Sequence, residues 1–461
     1  MSLNRKIRKL SLLSALSTLL LTGCQVFSFT SSPAANTPAP FYSIETHNFS
    51  IDYEQNMMGT LAAIKTQSND TLPDIARHFG LGHNDIISAN PTVDPWLPEP
   101  DTKVLLPLMF TLPAAPHQGI VLNLANMRMF HFPSKNTDQV MTYPVGIGRD
   151  GWSTPVGLTR IVSKTKNPVW HVPPSIQREH ALKGDPLPSS VSAGANNPLG
   201  EYAMRLALGS YLIHGTNKPY GVGMQMSHGC LNLYPEDISE LFNNTQVGTP
   251  VMIVNQPYLL GRYQDMLYLE AHKPLQANTN FKRALFTQIK QAEKKYRLRI
   301  NWPKVQQIVA QANGIPTPIL AQSMSFQELT ANAVLLPHPE QLYKQPVPRP
   351  LSHEAWSVTA ATLTDSRVAG KLTALLNHQG PTIPTRILQQ GNSFQVVSGP
   401  FASIKEAKIA LKRIQLEFEL KGKINPPQKF SGNSFSTPVL TSFPKREAAS
   451  EEDNFFGQWF N

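Results

Sequence analysis

The chain has 461 residues, 41% of them hydrophobic, and a formal charge of +10 at pH 7. That length is too great for one ordinary core and, at roughly 150 residues per domain, predicts about three units, while the apolar content excludes disorder throughout. Its 40 prolines outnumber its 27 glycines and gather in short stretches, as expected of compact modules joined by stiff linkers.

At the N-terminus Arg5, Lys6, Arg8 and Lys9 precede an apolar run from Leu10 to Leu21. The run is too short to cross a membrane as a helix and suits the centre of a secretory signal. Loss of residues 1–23 lowers the charge to +6, an excess that fits either a partner bearing carboxylates or phosphates or ordinary solubilising charge, and gives no sign of a nucleic-acid partner. The run ends in Leu21-Thr22-Gly23-Cys24, which resembles the lipobox of bacterial lipoproteins. This resemblance implies cleavage before Cys24, lipidation of its sulfur and, with Gln25 rather than Asp following, anchoring to the outer membrane from the periplasm; two or three acyl chains are enough for stable attachment. The chain has two cysteines, so Cys230 is then left without a disulfide partner within it. An unpaired thiol in an oxidising compartment is either a nucleophile or a buried inert group.

Residues 24–58 read as a tether, Pro-rich over Thr30–Pro40. From 59 to 107 a strand (Thr60–Thr66), a turn, and Leu72, Ile75, Ala76 and Phe79 at helical spacing are followed by the left-handed stop Gly80. A second helix over Asn84–Ala89 and a strand over Lys103–Pro107 complete a β-α-α-β order. With its "DTLPDIARHFG", "IISAN" and "LLP" segments it resembles a LysM module, which implies binding of N-acetylglucosamine-containing glycans; a small packing domain without a ligand is the alternative.

Residues 119–257 alternate apolar and polar positions in short runs separated by Gly, Pro, Asn and Asp, which predicts a β-rich sandwich or barrel. Residues 258–336 read as a helical extension. Its basic amphipathic helix carries Phe281, Leu285, Ile289, Ala292 and Tyr296 on one face, and a second helix runs from Pro303 to Gly314. A Pro-rich linker spans 337–353. Over 354–425 the order is strand Trp356–Leu363, helix Asp365–Gln379, strands Thr382–Gln389 and Phe394–Ser398, then helix Ser403–Glu419. With "FQVVSGPFASIKEAKIAL" it resembles the SPOR module, a ferredoxin-like α+β unit that binds glycan strands stripped of stem peptides. Residues 426–461 read as a disordered tail. The predicted fold class is thus multidomain: a LysM-like module, a β-rich catalytic sandwich, a helical segment and a SPOR-like domain.

Inside the β-rich block stand Ile213-His214-Gly215-Thr216 and Ser227-His228-Gly229-Cys230-Leu231-Asn232. A thiol with a nearby imidazole is the minimum for nucleophilic acyl transfer, and Gly229 permits a tight turn whose N–H groups converge on a developing oxyanion. No clustered ligand spacing suggests a metal. "HGT" followed by "SHGC", with "GIVLNLANMRMFHFP", "YPVGIGRDGWSTPVGLTRI" and "NNPLGEYAMRLA" upstream, resembles YkuD-type L,D-transpeptidases of the proteobacterial branch that anchors Braun-type lipoprotein or forms 3–3 cross-links.

The resemblance implies Cys230 as nucleophile and His214 as base, with the Gly215 carbonyl fixing the imidazole. It further implies an oxyanion turn from His228, Gly229 and Cys230, supported by Ser227, and His228 reads as structural because one base suffices. Asn232 departs from the Arg usual in this branch. The implied reaction needs no cofactor: Cys230 attacks the third residue of a donor stem tetrapeptide, expels D-alanine and leaves a thioester for an amine to resolve. That amine is a stem-peptide diaminopimelate or a Lys of an outer-membrane protein; water in its place gives L,D-carboxypeptidase action. A non-catalytic wall-binding lipoprotein is the alternative of a different class.

Overall fold

The computed structural model describes residues 44–427 other than 53, 54, 136, 137, 348 and 353. The expected signal, Cys24 and nearly all of the C-terminal tail lie outside the described residues.

The strand Ala62–Lys65 pairs antiparallel with Lys103–Leu106, and helices α1 (Leu72–His78) and α2 (His83–Ala89) lie between them in sequence. Thr71 caps α1 by accepting from the Asp74 amide at 3.2 Å, a cap worth about 1 kcal/mol. Ile64, Leu72, Ile75, Ile86 and Leu106 are fully buried, and Val121, Phe130 and Val140 of the neighbouring sheet join the same core. A third strand, Val334–Leu335, returns to pair in parallel with Ala62 and Ala63.

The tether expected through residue 58 ends earlier. Asn48–Ser50 pairs antiparallel with Gln139–Met141 and Met57–Gly59 with Met109–Thr111, because Phe49, Met57 and Met58 have apolar surface to bury.

The β-rich region and one earlier strand build a nine-stranded sheet in the order Asn48–Ser50, Gln139–Pro144, Arg128–Phe132, Gly119–Asn123, Pro250–Val254, Gly157–Lys166, Tyr202–Leu206, Leu212–His214 and Leu231–Asn232. The long strand Gly157–Lys166 joins two halves: its first part pairs with Pro250–Ile253 and its later part with Tyr202–Leu206, with a register shift between Ile161 and Ser163. Such shifts let a strand pass from one sheet to another. Ile120, Leu122, Met129 and Tyr143 of one half meet Met204, Leu206, Ile213 and Leu231 of the other in a single core. Helix α3 (Pro174–Leu182) lies in the connection before Tyr202 and buries Ile176 alone, whereas α4 (Pro235–Asn244) adds Ile238 and Leu241 to the core.

Residues 258–336, expected to be helical, fold as a mixed unit. A hairpin of Tyr258–Tyr263 and Met266–Ala271 turns at Gln264, whose φ is +52°, and Thr317–Pro318 adds a third strand. Helices α5 (Thr279–Tyr296) and α6 (Trp302–Gln311) cover it through Leu285, Ile289, Val305 and Ile308, and α7 (Phe326–Ala331) follows.

The last unit is a four-stranded antiparallel sheet in the order Thr385–Gln390, Ser393–Phe401, Trp356–Leu363, Lys423–Asn425, with α8 (Ser366–His378) and α9 (Ile404–Phe418). Asp365 and Ser403, read from the sequence as first helical residues, are the N-caps. Trp96, from the segment between α2 and Lys103–Leu106, is buried in this unit's core beside Leu372 and Ile383. Lys371–Asp94 and Arg367–Glu99 ion pairs, at 3.0 and 2.6 Å, reinforce that contact.

Candidate active site

The two His-Gly motifs meet through one parallel strand pair. Ile213 is in register with Leu231 and His214 with Asn232. Ile213 and Leu231 are fully buried in the core. Side chains alternate across a strand, so His214, Cys230 and Asn232 share the opposite face. The neighbouring strand extends that row, with Ala203 opposite His214 and Arg205 opposite Leu212.

His214 is 7% exposed, and its Nδ1 lies 2.6 Å from the Gly215 carbonyl oxygen. A carbonyl only accepts, so Nδ1 carries the proton and Nε2 the lone pair. Burial lowers the imidazole pKa to about 4, the Gly215 bond opposing only in part. At neutral pH this ring is an uncharged base. Gly215 has little room for a side chain, since a Cβ would stand 3.1 Å from Cγ2 of Ile238.

Cys230 is half-buried. Burial pushes its thiol pKa up, against a backbone hydrogen bond with Leu212 and the Arg205 charge. At neutral pH the thiol and the imidazole are therefore both uncharged.

The turn before Cys230 is braced on each side. Ser227 Oγ donates to the Cys230 carbonyl at 2.5 Å, and Thr154 Oγ1 donates to the Gly229 carbonyl at 2.9 Å. C=O and N–H of one trans peptide point oppositely. Holding the Gly229 carbonyl toward Thr154 thus aims the Cys230 N–H the other way, as an oxyanion donor needs. Gly229 has φ +99°, and a Cβ there would lie 3.0 Å from the Tyr211 ring. His228 is engaged by neighbouring charges: its Nε2 is 3.0 Å from Glu179 Oε2 and 3.0 Å from Arg149 Nη2, and its ring meets Trp152 edge-on at 5.1 Å. Glu179 also holds Arg149 and Lys183 at 2.5 and 2.9 Å, and these contacts keep its carboxyl well below the usual carboxylate range. Asn232 exchanges backbone hydrogen bonds with Gly146 at 2.9 and 3.1 Å, and its buried Oδ1 has no hydrogen-bond partner among the described residues.

Sequence reasoning missed Arg205, Thr154, Arg149 and Glu179. Arg149, Thr154 and Arg205 stand in the quoted segments without being singled out there, whereas Glu179 is 51 positions before Cys230 on a helix with no motif. Among the described residues no cluster of three or more His, Cys, Asp or Glu is arranged to hold a metal, and no helix is long and apolar enough to cross a membrane.

Residues 117–253 match the YkuD family model, described as the L,D-transpeptidase catalytic domain, and residues 352–424 match the SPOR domain model. Over 211 residues the chain is 39% identical to the probable L,D-transpeptidase YcfS of Escherichia coli K12, covering 44% of this chain and 65% of that protein. It is 36% identical over 250 residues to the probable L,D-transpeptidase ErfK/SrfK of Salmonella typhimurium, covering 52% and 80%. It is 38% identical over 223 residues to the probable L,D-transpeptidase YbiS of Escherichia coli K12, covering 48% and 71%. An L,D-transpeptidase from Mycobacterium tuberculosis H37Rv, solved by X-ray crystallography, is 20% identical over 33% of this chain and 63% of that one, with a TM-score of 0.22.

Proposed function

Because the chain belongs to the L,D-transpeptidase family, we propose that it is an envelope enzyme of the periplasm acting on peptidoglycan, with Cys230 as nucleophile and His214 as its base. The observation that carries this reading is the buried His214, its Nδ1–H engaged by the Gly215 carbonyl and its strand in register with the residues directly after Cys230. Nε2 removes the thiol proton as Cys230 attacks the carbonyl of the third stem residue. It returns that proton to the departing D-alanine amine, leaving a thioester. The Cys230 N–H and the Gly229 turn stabilise the oxyanion. In the second half-reaction an amine attacks the thioester, His214 takes up its proton, the carbon–sulfur bond breaks and the proton passes to the departing Cys230 sulfur. A stem-peptide diaminopimelate yields a 3–3 cross-link, a protein Lys yields a wall-attached protein, and water yields a shortened stem.

In the same reading residues 59–107 are a LysM-like glycan-binding module, and the SPOR domain holds bare glycan strands. Cys24 is the lipid anchor to the outer membrane. Intact-protein mass spectrometry after mixing with a stem tetrapeptide tests the chemistry: the expected result is an acyl adduct that maps to Cys230 and is absent from Cys230→Ser. An adduct that persists in Cys230→Ser overturns the assignment.

A further inference from the structure

Three adjacent strands put an arginine in line with the thiol. Arg205 stands opposite Leu212 on the antiparallel pair of Tyr202–Leu206 with Leu212–His214. On the far side of Leu212 the parallel register sets Ile213 against Leu231, which places Cys230, one residue earlier, beside Leu212. Met204, Leu206, Ile213 and Leu231 are buried in the core, and side chains alternate across each strand. Arg205, Leu212 and Cys230 therefore form one row on the open face, next to the row of Ala203, His214 and Asn232. Neighbouring strands lie about 4.8 Å apart, so the backbones of Arg205 and Cys230 are about 10 Å apart, a gap that a guanidinium and a small anion fill.

Arg205 is exposed. Its Nη1 donates to the Gly209 carbonyl at 3.1 Å, and among the described residues no carboxylate pairs with it. The turn at Gly209 does not depend on that bond, because the Leu206 amide already closes it on the Tyr211 carbonyl at 3.0 Å. The cations on the other side of the thiol are engaged: Glu179 holds both Arg149 and Lys183, at 2.5 and 2.9 Å. Burial raises the Cys230 thiol pKa, and the Leu212 backbone and the Arg205 charge oppose it, so the field of this guanidinium reaches the sulfur.

The departing D-alanine carries a carboxylate separated from the scissile carbonyl by only its nitrogen and one carbon. A planar guanidinium meets such a group with two parallel N–H donors. The second half-reaction runs the first in reverse with a new amine, so the acceptor nitrogen enters where D-alanine left. Diaminopimelate has a carboxylate on the carbon next to its amine; the ε-amine of a protein Lys has none.

We infer that Arg205 determines specificity by binding the carboxylate beside the reacting amine, first on the departing D-alanine and then on the acceptor. The acceptor class is thus an α-amino carboxylate, as on diaminopimelate, rather than a protein Lys. The inference rests on the reading that the donor is a stem tetrapeptide.

Mass spectrometry on the full chain tests both halves. Acylation is followed with a stem tetrapeptide and with the same peptide ending in D-alaninamide; transfer is followed to diaminopimelate, its diamide and Nα-acetyl-lysine. The amines differ in basicity, so the ratio of wild type to variant on each probe is read. Wild type should favour the acid donor and diaminopimelate by about tenfold or more. Arg205→Gln should lose that advantage on the acid probes alone, with an unchanged unfolding midpoint, and Arg205→Lys, which keeps the charge without the fork, should regain part of it. If Arg205→Gln fails to fold, the wild-type preferences and Arg205→Lys decide the matter. Equal use of acid and amide probes by wild type, a full preference retained in folded Arg205→Gln, or an equal loss on acid and amide probes overturns the role of Arg205 and leaves the acyl-transfer reading standing. Faster transfer to Nα-acetyl-lysine than to diaminopimelate overturns the acceptor class. Acylation by neither donor removes the stem-peptide reading together with the inference.

Discussion

The neutral thiol and neutral imidazole at the site predict how Cys230 responds to pH. An ion pair of thiolate and imidazolium would be alkylated at a nearly constant rate down to the pH at which the thiolate gains a proton. Here burial holds the His214 pKa near 4 and the Cys230 thiol above its ordinary value of 9.0. At pH 7 the thiolate is then at most about one part in a hundred. Iodoacetamide reacts with the thiolate alone, so its rate should rise about tenfold per pH unit between pH 6 and 8, with no plateau. Acylation by a stem-peptide donor should behave differently, because His214 is already the free base above about pH 5 and takes the proton during attack. Its rate should be nearly flat from pH 5.5 to 7.5. The two profiles are measured on one protein sample by stopped-time mass spectrometry, with Cys230→Ser as blank. An alkylation plateau between pH 5 and 7 would refute the argument, since it requires a preformed thiolate.

Gly229→Ala places a side chain at φ +99° against the Tyr211 ring; a strain of about 1–3 kcal/mol should misalign the turn, with turnover falling by at least about tenfold and a lower unfolding midpoint by calorimetry. Ser227→Ala removes the donor to the Cys230 carbonyl, a bond worth about 0.5–1.5 kcal/mol, so kcat should drop several-fold with KM unchanged. Acid should unfold the protein through His83, His131 and His214, whose pKa values burial lowers to about 4. The unfolded chain binds those protons near pH 6.5, so the stability they contribute is present above that pH and lost as pH falls toward 4, at about 2 kcal/mol per histidine by pH 5. His378 offsets part of this, because Asp74 raises its pKa against the effect of burial. A urea midpoint equal at pH 7 and pH 5 would contradict it.

How much was legible in the sequence follows the range of each signal. The helices of the SPOR and LysM-like units announce themselves locally, through apolar residues at helical spacing and the stop at Gly80, while the caps Thr71, Asp365 and Ser403 emerge only in the structure. Gly229 was legible for the same reason, since its need for positive φ is a property of one residue. The strand Asn48–Ser50 was not: three residues are too few for alternation to show, and its partner lies some 90 positions away. The hairpin within 258–336 was masked by the strong amphipathic pattern of α5, which coloured the whole segment as helical. Trp96 gave no sign of belonging to a core built almost wholly from residues beyond 350, and Glu179 none of reaching His228.

Strand register explains why chemistry legible as two short motifs depends on residues with no chemistry of their own. The parallel pair that sets the His214 strand against the residues directly after Cys230 is only two residues long on the Leu231–Asn232 side, too short for its ladder to fix the alignment. Ile213 and Leu231 supply what the ladder lacks, since both are fully buried and a slip of one residue would exchange them with the polar face. Such a slip would bury the thiol in the apolar core and turn a core side chain toward the substrate. Burying a Leu or Ile side chain is worth about 1.5–3 kcal/mol, so the core penalises the slipped alignment twice. The braces from Ser227 and Thr154 then act on a turn whose position is already set. The apolar residues fix where the thiol stands, and the polar ones fix how its peptide faces.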